Sequence, residues 1–250
     1  MEKNSKVNSS VENFQNKMNC YSYALQSYYR GSGGYLLNPG EIGLASSKSL
    51  YNSRKELMNA YNSYTNTMKN CIRWDGVIQN DSLAKLTMSK FNNFIKAQMI
   101  ADADVMGFSI KKTLKLLPDD FNEETEKIIA MVICYKSSFN GHKYEDDNRT
   151  VDFHYLLRNG NGTCPNGHDD NCSAWTQKIG LESVVDTNGY GNKLCDKNVS
   201  DNAYSLYTSK IYKCPVGITY FRIDKTNDIY NSYYGDGRYD ECFGTPYYKN

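Results

Sequence analysis

Apolar residues along this chain recur first at helical spacing and later at strand spacing. Asn19 is a good helix N-cap residue, and Cys20 to Tyr29 contains no breaker, so a short helix is predicted to begin near Cys20. Gly31, Gly33 and Gly34 end it, and Pro39-Gly40 makes a turn. Residues 49 to 71 read as a helix, with Leu57, Met58, Tyr61, Tyr64 and Met68 at spacings of three and four. Asp81 is placed to cap the next helix, with Leu83, Leu86, Phe94 and Ile95 on one face. A further helical stretch is expected to run to Leu117, where Pro118 stops it.

The pattern then changes. Ile128 to Tyr135 is a continuous apolar run suited to a buried strand. Residues 136 to 150 read as a polar loop. Val151 to Leu157 reads as a second strand, with Val151, Phe153 and Tyr155 on one face and His154 on the other. Residues 159 to 174 are rich in Gly, Asn and Cys and read as a loop insertion. Strands are expected again at Trp175 to Lys178, Leu181 to Val185 and Val216 to Ile223. Helices followed by an antiparallel sheet make an α+β layout, with the Cys20 helix packed on the sheet and a helical insertion between them. The organisation expected is a disordered lead-in (1–15), one domain (16–225) and a Tyr- and Asn-rich extension (226–250).

Composition narrows the function. A formal charge of +1 offers no field to steer the chain to nucleic acid or an anionic membrane. No stretch approaches the roughly 20 apolar residues that span a bilayer. Met1 to Gln15 is polar and lacks a secretory signal, so the expected location is inside the cell or outside it by a route that needs no Sec signal. The eight cysteines then point to a metal site or reactive thiols before disulfides.

Cys20 stands where a helix begins, and a helix N-terminus stabilises a thiolate. Of the three histidines, His142 and His168 fall in polar loops, while His154 sits on a strand that can hold a base rigidly. Spacing alone favours the plainer alternative, a buried Cys20 and a satisfied strand histidine.

Two signatures add weight. Asn19-Cys20-Tyr21-Ser22-Tyr23-Ala24-Leu25 resembles the Asn-Cys-Tyr-Ala-Tyr-Ala-Leu signature of a group of bacterial and phage proteins. That group looks related to the NlpC-type cell-wall peptidases of the papain-like superfamily. Asp152-Phe153-His154-Tyr155, then Trp175-Thr176-Gln177-Lys178, resembles the group's second signature, in which Trp-Ser-His-Lys follows a hairpin. The resemblance continues through Val185, Asp186 and Asn188 to the strands around Tyr212 to Phe221. It implies a papain-like core with Cys20 as nucleophile, His154 as general base and Gln177 as the orienting third residue. Asp186 is the reserve for that third role, though a turn residue is its commoner use. Helix-start N–H groups would hold the oxyanion, with Gln15 as a possible extra donor. The implied reaction needs no cofactor, and its substrate is a peptide, a protein or a cell-wall peptide. Gln177 stands where the group has His; its amide can orient the imidazole but cannot stabilise an imidazolium as a carboxylate would.

Cys164, His168 and Cys172 lie in the insertion and have no counterpart in that group. With Cys195 they make a candidate zinc set. A Cys164–Cys172 disulfide or a free polar loop together outweigh it. Two rivals to the enzyme follow: a non-catalytic module that keeps the fold, and a structural protein held by disulfides or zinc.

Overall fold

The computed structural model describes residues 19–25, 37–71, 81–114, 117, 122, 125–139, 144–159, 164, 166–167, 172–179, 183–200 and 212–224. The proposed lead-in and C-terminal extension, Gln15, His142 and His168 lie outside these residues. The described chain is α+β, as its pattern predicts. Its helices are α1 (Cys20–Leu25), α2 (Glu41–Ala45), α3 (Arg54–Cys71), α4 (Asp81–Met106) and α5 (Asp196–Ser200). Its strands are β1 (Ser109–Leu114), β2 (Glu126–Phe139), β3 (Tyr144–Asn159), β4 (Ala174–Lys178), β5 (Val184–Val185) and β6 (Tyr212–Asp224). They form one antiparallel sheet in the order β1-β6-β2-β3-β4-β5.

β2 lies inside the sheet, and Ile128 to Cys134 is buried on both faces. That explains why this segment is continuously apolar rather than alternating. One face carries Ile129, Met131, Ile133, Val151, Phe153, Tyr155, Leu157 and Phe221, packed in one core with residues of α1, α3 and α4. The other carries Ile128, Ala130, Val132, Leu156, Trp175 and Tyr220, in a core with Leu194 and Val199.

Four expectations are corrected. The helix expected from residue 49 starts at Arg54. Ser53 Oγ accepts from the Glu56 N–H at 3.3 Å, and Glu56 Oε2 accepts from the Asn52 N–H at 3.0 Å, which caps the start there. Leu83 and Leu86 are exposed (43% and 52%), because the buried stripe of α4 runs through Ala84, Thr87, Phe91, Ile95, Gln98 and Asp102 instead. The helical stretch expected to reach Leu117 ends at Met106. Gly107, at φ 73°, takes the left-handed conformation that terminates helices, and residues 109–114 become a strand. The loop expected at 136–150 is largely ladder, since β2 runs to Phe139 and β3 starts at Tyr144. The residues of this stretch are mostly polar and carry no apolar strand period, so the ladder was not legible there. The short helices α2 and α5 have too few turns to show a period, and the sequence reading missed both.

Candidate functional site

Cys20 is the first residue of α1. Asn19 Oδ1 accepts from the Ser22 N–H at 3.0 Å, the N-cap bond its side chain predicts. Its Nδ2 donates to the Leu37 carbonyl at 2.6 Å, tying the cap to the segment before α2. The next residues dock the helix. The Tyr21 ring lies 5.1 Å from that of Tyr155 on β3, and the Tyr23 hydroxyl lies 2.7 Å from Thr176 Oγ1 on β4.

Tyr21 also donates to Asp102 Oδ2 at 2.7 Å. Asp102 is wholly buried on α4 and accepts two more bonds, from Gly40 N (2.7 Å) and Gly43 N (2.8 Å). Burial pushes its carboxyl up to about 7, against the pull of these three donors. Gly40 has φ 95°, and a Cβ on Gly43 would stand 2.7 Å from Ala101 Cβ, so both glycines are needed for α2 to approach α4 this closely. Asp102 thus holds the Cys20 helix indirectly, through Tyr21. Cys20 is buried beside Tyr155 (6% exposed). Burial first, then the neighbouring Cys20 and Asp102, raise the Tyr155 hydroxyl well above the ordinary tyrosine range.

His154 occupies β3 in register with Val132 and is fully buried. Its Nε2 lies 2.8 Å from Gln177 Oε1. Gln177 stands on β4 opposite Leu156, and its Nε2 donates to the Thr187 carbonyl at 2.7 Å. The Thr187 bond fixes which way the amide points, so Gln177 Oε1 accepts and His154 Nε2 carries the proton. Among the candidates, the structure brings these two together.

Strand alternation places His154 with Val132 and Leu156, on the face opposite Tyr155. α1 packs on the Tyr155 face. Cys134, paired with Asp152, shares the His154 face. It forms a small buried group with Ile179 and Val185, and the sequence reading gave it no role. Its even spacing from Val132 was the signal available. Thr187, Tyr155 and Asp102 were also missed, because each acts through a contact distant in sequence. Asp186 turns outward, half-exposed, where Lys193 Nζ lies 2.5 Å from its carboxylate.

The insertion cysteines converge with Cys195. The three Sγ atoms of Cys164, Cys172 and Cys195 all lie within 4.8 Å of one another. Asp196, next to Cys195, is a hub. It accepts from Arg158 Nε (2.9 Å) and Nη2 (2.7 Å), Trp175 Nε1 (2.6 Å) and the Ser173 N–H (2.8 Å). The Cys172 thiol is pushed up to about 12, by burial first and then by its bonds to the other two thiols, while the Lys197 N–H pulls the other way.

No protein-family model, curated protein or solved structure matches this chain. No helix among the described residues is long and apolar enough to cross a membrane.

Proposed function

We propose that this chain is a cysteine hydrolase of amide bonds, in peptides or isopeptides, on a papain-like core of the NlpC type. The observation that supports this reading is the His154–Gln177–Thr187 chain: a buried imidazole held in one tautomer by an amide that is itself held. With the proton on Nε2, Nδ1 is the basic nitrogen. For it to take the Cys20 proton, so that the thiolate attacks the acyl carbon, the two side chains would have to meet on one side of β3, whereas α1 packs on the face opposite His154. The Cys20 and Tyr21 N–H groups would hold the oxyanion at the start of α1. The imidazolium would then give its proton to the departing amine, and water would release the acyl group from Cys20. Deamidation or acyl transfer would use the same residues.

A second reading is a binding module that keeps this fold without the chemistry. It is favoured by the placement of His154 on the face of β3 opposite the one that α1 packs on.

The deciding experiment is the pH dependence of iodoacetamide labelling, with mass spectrometry locating the label, in wild type and His154→Ala. Labelling of Cys20 well below the free-thiol pKa of about 8.5, slowed by loss of the imidazole, is the expected result. Labelling of Cys20 that follows an ordinary thiol, or ignores the substitution, would remove the enzyme reading and leave the module. Low-pH labelling that maps to Cys134 instead would move the nucleophile to the His154 face.

A further inference from the structure

We propose that Cys164, Cys172 and Cys195 bind one zinc ion as a three-thiolate site. Zinc–sulfur bonds of about 2.3 Å at tetrahedral angles separate the sulfurs by about 3.8 Å. Three sulfurs already within 4.8 Å of one another need only a small contraction to reach that spacing. A disulfide joins two sulfurs at about 2.05 Å and would leave the third behind, buried and unused. One metal ion would be bound by all three sulfurs at once.

The surroundings supply an independent observation. Metal-bound thiolates carry negative charge and are stabilised by N–H donors around them. Asn166 Nδ2 donates to Cys195 Sγ at 3.4 Å and to the Lys193 carbonyl at 2.9 Å. The backbone N–H of Lys197, in the first turn of α5, donates to Cys172 Sγ. Cys164 opens a tight turn closed by Gly167 N to Cys164 O at 3.0 Å, with Gly167 at φ 69°, and this turn carries Asn166 to the cysteines. Asn198 Oδ1 accepts from Cys195 N at 2.7 Å and fixes the third ligand's backbone. The ligands thus come from three separate stretches of chain, and those carrying Cys164 and Cys195 are held by bonds that do not involve sulfur.

Soft thiolates favour zinc over magnesium or calcium, and binding releases the thiol protons without any redox step. The fourth position falls to a ligand outside this triad. His168 lies outside the described residues. The site closes the segment that carries Thr187, the residue that orients Gln177, so its role is structural and does not depend on the hydrolase reading.

The test uses the full chain, purified under reducing conditions. Elemental analysis should find one zinc per chain. After chelation, cobalt(II) should restore one equivalent with an intense sulfur-to-metal charge-transfer band in the near ultraviolet. Bound zinc should protect Cys164, Cys172 and Cys195 from maleimide, and chelation should expose all three together; this readout needs no variant. Cys195→Ser should weaken cobalt binding at least ~100-fold, whereas Cys71→Ser, on α3, should leave it unchanged. Absence of stoichiometric zinc, a cobalt complex without the sulfur band, or a Cys164–Cys172 disulfide in the native protein would each overturn the proposal.

Discussion

Gln177 is a neutral residue where a carboxylate could do more. Its oxygen fixes the orientation of His154 but cannot stabilise an imidazolium as an anion would. Gln177→Glu is expected to favour the protonated ring. Labelling of Cys20 should then shift to lower pH than in wild type, and an unchanged profile would show that the two residues are uncoupled. Gln177→Ala should cost about 1–3 kcal/mol of stability, because it strands a buried ring N–H. Urea unfolding measures that loss.

Asp102 makes a separate, pH-dependent prediction. Its folded pKa of about 7 lies above its ordinary value of 3.8. Between those values the folded state keeps a proton that the unfolded state has released. This contribution is therefore fully present below about pH 4, falls as pH rises through 7, and is flat beyond. The full shift corresponds to at most about 4 kcal/mol. Asp102→Asn should remove this slope from urea midpoints measured between pH 4 and 8. Parallel slopes in both proteins would show that Asp102 is not the titrating group.

At the scale of elements, β1 is held by β6 and by a charged cluster, in which Lys111 also meets Asp224 of β6 at 3.1 Å. Glu126, at the start of β2, meets Lys111 of β1 at 3.0 Å and Arg222 of β6 at 2.7 Å, and it accepts from the Asn122 N–H at 3.0 Å. Burial works to raise its carboxyl, but these partners outweigh it and hold the group at about 2. Glu126→Gln should therefore loosen β1 first. Hydrogen exchange should show faster amide exchange in Ser109–Leu114 while the β2–β3 ladder stays protected. Equal loss across the sheet would show that Glu126 serves the whole fold.

At the scale of the molecule, the sheet closes late in the chain. β6 pairs β1 on one side and β2 on the other, across more than a hundred residues in each direct pairing with β1. A chain ending at residue 211 would leave β1 without its partner and uncover one edge of the buried β2. Such a chain should show no cooperative unfolding transition by circular dichroism. A cooperative transition close to that of the full chain would mean that the helices and the β2–β3 hairpin are sufficient.

The sequence by itself determined what is local. The cap at Asn19, the helix from Cys20, the amphipathic period of α3, the buried run in β2 and the opposite facing of His154 and Tyr155 all follow from side-chain direction along one backbone. The pairing of His154 with Gln177 was readable only through the resemblance to a known signature. Tertiary structure decided the rest: that β6 lies between β1 and β2, that Asp102 anchors α1 and α2, that Leu83 and Leu86 face outward, and that three cysteines from separate segments meet. The physical reason is the range of the interactions. Periodicity records which way a residue points from its own chain, whereas its partner is chosen by packing between segments that no local pattern encodes.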